Sequence, residues 1–171
     1  MEAGSVPSPL AGRDTGANPT DRGKLGTKHH RLADRNGLPL AMALSGANTH
    51  DSQVFIPLFD AAPAIMGKRG WPHCCPCKLH ADKGYNYRFC RAYLRRRGVV
   101  RRIARRGTES KERLGRQHPW VAEPTTAWLH PFRRPRIRYD KRSAIHLAFL
   151  RLDHRVTFCK TVLSLTHIAH D

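Results

Sequence analysis

Acidic residues are scarce in this chain: 13 Asp and Glu stand against 31 Lys and Arg in 171 residues, a formal net charge of +18. The pI is near 10.9. An imbalance of that size points to a polyanionic partner, nucleic acid first, and away from basic ligands. Long apolar runs are missing as well. With no stretch of about 18 consecutive apolar residues the chain does not read as membrane-spanning. Residues 1–19 lack the basic and then apolar order of a signal peptide. The five cysteines are few and odd in number, and three of them crowd into Cys74-Cys75-Pro76-Cys77. A disulfide framework is not indicated, and a reducing cytoplasm fits better. Together with His73 and His80 the cluster still lacks the separated ligand pairs of tetrahedral zinc sites, and Cys90 and Cys159 each stand alone, so zinc is not expected.

What the chain does have is concentrated cationic charge. Between Arg91 and Arg142 lie 17 basic and four acidic residues. Arginine dominates, and its planar fork suits bidentate contact with phosphate. Leu94, Val99, Ile103, Trp120, Trp128 and Phe132 are interleaved with these charges, so the segment carries enough apolar surface to pack. Arg101, Arg102, Arg105, Arg106, Lys111, Arg133 and Arg134 are the candidate DNA contacts.

The local patterns predict an α/β order without internal repeats. Residues 1–22, rich in Gly, Pro, Ser and Ala, read as an irregular arm. Thr27–Ala33 and Leu38–Leu44 flank Asn36-Gly37 as a hairpin, with Pro39 near the start of its second strand. Thr49 to Ser52 offer capping side chains ahead of Val54, Phe55, Leu58 and Phe59, which share one helical face. After a loop over Met66–Cys77, a short strand, Lys78–Ala81, precedes Asp82. A helix follows over Tyr87–Arg97, ended by Gly98, and then a strand over Val99–Ala104. Residues 120–138 have helical spacing interrupted by prolines at 124, 131 and 135. Ser143–Leu152 reads as a buried helix that extends through Val156–Leu165.

Lys78-Leu-His-Ala-Asp-Lys-Gly-Tyr85 is the most informative segment. A lone carboxylate at a strand end is rigidly aimed, and Glu123 follows 41 residues later among arginines. Two such acids in a cationic setting suit metal-assisted chemistry on a polyanion, although an Asp at a strand end is also an ordinary turn former.

Three ordered blocks carry a family resemblance. They are Asn18 to His30 with Asp34 to Leu40, Leu79 to Tyr85, and Trp120 to Glu123 with Ala127 to Leu129 and Phe132 to Arg134. In these blocks the chain resembles bacterial insertion-sequence transposases of the DDE type, from about Asn18 to Leu163. The resemblance implies a ribonuclease-H-like mixed sheet flanked by helices, and DNA transposition by metal-dependent strand cleavage and transfer. It implies Mg²⁺ or Mn²⁺ held by Asp82 and Glu123 as the second and third acids, a homo-oligomer acting on transposon ends and target DNA, and a cytoplasmic, nucleoid-associated location. Residues 23–165 are then a partial catalytic domain and 166–171 a tail.

Two departures stand out. The family's first Asp segment falls here at Glu2-Ala3-Gly4-Ser5-Val6, so the first strand is expected to be missing or degraded. Glu2, Asp14 and Asp21 are the alternatives for the first acid, unless a separate N-terminal segment supplies it. Pro124 replaces the Arg that usually follows the third acid, and Pro131 interrupts the same helix. The expectation is a truncated or inactive copy, with a non-catalytic basic nucleic-acid-binding protein as the other reading.

Overall fold

The computed structural model describes residues 1–64, 75–103 and 133–168. Its centre is strand β3, Leu25–Ala33, which folds back through a tight turn onto β4, Pro39–Gly46. The side chain of Asp34 builds that turn, its Oδ1 accepting the amides of Asn36 and Leu38 at 2.8 Å each. Gly37, at φ +83°, takes the left-handed conformation that disfavours a Cβ. Pairing runs antiparallel from Thr27↔Gly46 to Leu32↔Ala41 and shifts at Ala33, opposite Pro39.

Glu2–Pro7 forms β1, antiparallel to β3 in register from Glu2↔Arg31 to Pro7↔Gly26. Gly16–Ala17 forms the short β2, paired with Gly26 and Leu25 of the same strand. Here the structure departs from the irregular arm and the missing first strand expected of these residues. Gly, Ser and Pro carry little strand propensity of their own. An open edge of β3 supplies six paired positions, and that tertiary context decides. Gly4 also leaves room for the guanidinium of Arg31, which would lie 3.4 Å from a Cβ at that position.

Helices cover both faces. Helix α1, Asp51–Asp60, begins at His50, whose ring accepts the Ser52 amide. It buries Phe55, Leu58 and Phe59, the face that their spacing predicts. Strand β5, Lys78–Ala81, leads through a 3₁₀ turn, Lys83–Tyr85, into α2, Arg88–Arg96, and back to β6, Val100–Ile103, which pairs parallel with β5. Gly98 ends α2 at φ +69°. Leu32, Phe55, Tyr85, Leu94 and Ile103 close one core between the β3–β4 hairpin and this β–α–β unit.

On the other face lie the short α3, Arg133–Arg136, and the long α4, Ser143–Ile168. Helix α4 runs unbroken through Val156–Leu165, as the apolar pattern predicts. It is less buried than expected: His146, Leu150 and His154 turn inward, whereas Ile145 and Leu152 are exposed. Arg138, just ahead of α4, is fully buried. Its guanidinium donates to the carbonyls of Arg13, Asp14, Asp140 and Lys141 and to the Thr27 hydroxyl, at 2.6 to 3.2 Å. This one side chain joins the segment after β1, the middle of the sheet and the base of α4.

The basic block Lys28-His29-His30 has structural partners. Successive strand residues face opposite sides, so His29 meets His146 of α4 at 3.0 Å while His30 faces Tyr85 and Ser45 at 3.3 and 2.8 Å. Burial first, and then the neighbouring His146, holds His29 well below the usual imidazole range.

Candidate metal and nucleic-acid site

Strand β5 delivers Asp82 to the surface, where it caps the 3₁₀ turn and accepts the Lys83 amide at 2.6 Å. The turn behind it is fixed at two points. Tyr85 is fully buried and its hydroxyl meets His30. The Ser45 hydroxyl can donate to the Gly46 carbonyl while accepting from His30 Nε2, which leaves His30 Nδ1 to accept from Tyr85. Burial keeps this imidazole neutral, its pKa pushed down to about 4. Gly84 is the second point: a Cβ there would lie 2.7 Å from Asp51 Oδ2. Asp51 in turn is held by Lys28 at 2.9 Å.

Glu2 stands at the same end of the molecule. The Met1 amino group donates to the His80 carbonyl at 2.7 Å, so β1 begins beside β5. Burial pushes that amino group down to about 6, while Glu2 and then Asp82 pull it back up. Burial also raises the Tyr85 hydroxyl, and Asp51, Asp82 and Glu2 add to the effect. Glu2 further pairs with Arg31 at 3.4 Å. Asp14 is placed elsewhere, its carbonyl bonded to Thr27, and Asp21 sits in the turn ahead of β3, bonded to Lys24. Thr27 and Arg31 are four strand residues apart, roughly 13 Å. Asp14 and Asp21 therefore lie toward the opposite end of β3 from Glu2.

Glu123, Arg105, Arg106 and Lys111 lie outside the described residues, as do His73 and Cys74. Among the described residues no group of three or more His, Cys, Asp or Glu side chains is arranged to hold a metal ion. Cys75, Cys77, Cys90 and Cys159 are free thiols. Arg101 and Arg102 are exposed on β6. Arg133 lies in α3. Arg134 is spoken for in part, 4.7 Å above the Phe149 ring and 3.7 Å from Asp140. No described helix is long and apolar enough to cross a membrane.

The supports of Asp82, namely Lys28, His30, Asp51 and Tyr85, escape a reading focused on carboxylates. For Lys28 and His30 the signal in the sequence is a run of polar residues inside a strand that must be central.

Residues 5–152 match the family model for the transposase DDE domain. The chain belongs to that family. It is 51% identical over 138 residues to a putative transposase for insertion sequence element IS402 from Burkholderia cepacia, a match covering 81% of this chain. The chain spans 65% of the length of that relative. No solved structure matches it.

Proposed function

We propose that the chain works in DNA transposition, by metal-dependent cleavage and transfer of DNA strands, through Asp82, Glu123 and Glu2. The observation that carries this reading is the meeting of β1 and β5, which puts Glu2 and Asp82 around the same amino group. The antiparallel sheet of β1 to β4 and the separate parallel pair β5–β6 have the strand directions of a ribonuclease-H-like fold, which supports that reading. The family model begins at Ser5, so the choice of Glu2 over Asp14 and Asp21 rests on geometry.

The donor set fits a hard cation. Carboxylate oxygens suit Mg²⁺ or Mn²⁺, and no soft thiolate is among these three side chains. Asp82 and Glu2 would hold such an ion, with Glu123 as the further ligand. Bound there, the metal would polarise phosphoryl oxygen and favour an attacking hydroxyl or water. The chain's own contribution is position: Tyr85, Gly84 and the Lys28–Asp51 pair hold Asp82 at the surface. Exposed Arg101 and Arg102 supply the phosphate contacts. DNA ends and target, a homo-oligomeric assembly and a nucleoid-associated location complete the reading.

The test is strand cleavage of a labelled insertion-element end in Mg²⁺ or Mn²⁺, with DNA affinity measured alongside. Cleavage that disappears in Asp82→Asn and weakens strongly in Glu2→Gln supports the assignment. DNA binding without cleavage in either metal moves the reading to the non-catalytic basic nucleic-acid-binding protein.

A further inference from the structure

Seven residues beyond Asp82 the surface carries an aromatic ring that the core does not use, Phe89, and beside it Tyr87 packs partly against the core. Phe89, in the first turn of α2, is 47% exposed. Its ring centroid lies 6.0 Å from that of Tyr87, and Tyr87 meets His50 edge-on at 4.8 Å. The Tyr87 ring is locked in place. Ser52 N–H can only donate, and it donates to His50 Nδ1. A neutral His50 therefore carries its proton on Nε2, which donates to the Tyr87 hydroxyl at 2.9 Å. A fixed Tyr87 beside an exposed Phe89 makes a preorganised step of two π-faces.

The surroundings choose the occupant. Lys83 to Ile103 contains eight basic residues and no acidic one. Lys83 and Arg88 are exposed next to the rings, and Arg95 and Arg96 are exposed further along α2. An apolar protein partner has no need of such a border, whereas a nucleotide presents a flat base together with an anionic phosphate. We propose that Tyr87 and Phe89 form a stacking shelf for one unpaired base of the DNA strand, with the exposed face of α2 following its phosphates. The inference rests on the DNA substrate proposed above and adds where that strand opens. A base held out of the stack a few residues from Asp82 bares the adjoining phosphodiester to the carboxylates.

The experiment compares two DNA probes of equal length binding to the full chain, one fully paired and one with a single unpaired 2-aminopurine. Wild type should prefer the unpaired probe and quench its fluorescence. Phe89→Ala should lose about tenfold in affinity for that probe, with less than a twofold change on the duplex, while Phe89→Tyr retains both affinity and quenching. Arg95→Ala with Arg96→Ala should weaken both probes alike. Equal effects of Phe89→Ala on the two probes, or duplex binding with no preference for the unpaired base, overturn the shelf and leave the DNA reading standing. Binding of neither probe overturns the DNA reading and the shelf with it, and a preference for a single-stranded RNA of the same sequence over either probe overturns the assignment to DNA.

Discussion

Replacing His154 by leucine should make the protein more resistant to acid. His154 is nearly buried on α4, and its Nε2 has no hydrogen-bond partner among the described residues. Burial first, and Arg31 second, push its pKa down to about 4 from the ordinary imidazole value near 6.5. The folded form therefore keeps the ring neutral over a range in which the unfolded chain protonates it. Stability from this group is complete above pH 6.5, falls as pH drops toward 4, and is flat below. At 1.36 kcal/mol per pH unit the loss between pH 6.5 and 5 is about 2 kcal/mol. That is a large part of the 5 to 15 kcal/mol typical of a domain. Leucine removes both the titration and the unpaired nitrogen, so at pH 7 the variant should match or slightly exceed wild type. At pH 5 it should lead by about 2 kcal/mol. Urea unfolding followed by circular dichroism at pH 7, 6 and 5 measures both. His30, also pushed to about 4 by burial, remains in the variant and keeps part of the slope. Parallel pH profiles for the two proteins would refute the reasoning.

Two further outcomes follow from geometry. Arg138→Met keeps the buried volume but strips the hydrogen bonds that join residues 13 and 14, Thr27 and the base of α4; at about 1 kcal/mol or more for each carbonyl left unpaired, it should cost several kcal/mol in the same urea assay. Arg101→Ala with Arg102→Ala should lower the log–log salt slope of DNA binding by about 0.9 for each lost phosphate contact, read from a mobility-shift series.

Several elements could be read directly from residues. Asn36-Gly37 and its flanking runs gave the hairpin, Lys78–Ala81 the strand ahead of Asp82, and the spacing of Phe55, Leu58 and Phe59 the face of α1. What escaped depended on partners far along the chain. Within Glu2–Pro7 only Val6 favours a strand, and the open edge of β3 makes the segment one. The extension of α4 through Val156–Leu165 was legible in its apolar residues, and Asp153, His154 and Arg155 lie inside that helix. The helix continues through them because His154 turns inward toward the sheet. The position of Asp82 was legible, but two of its supports, Lys28 and His30, lie 54 and 52 residues before it and became meaningful only once their strand was seen to be central. Glu123 keeps its assignment by resemblance alone.

The Arg138 clasp also sets an order of events during synthesis. Its acceptors at Arg13 and Asp14 leave the ribosome 125 and 124 residues before the guanidinium that binds them. The β3–β4 hairpin and helix α1 can form early from near neighbours, but the segment after β1 must wait with its carbonyls hydrated until nearly the whole domain has emerged. Contacts of such long sequence separation form slowly. The nascent protein therefore passes through a stage with one face of its sheet uncovered, in which chaperone capture and aggregation compete with closure by α4.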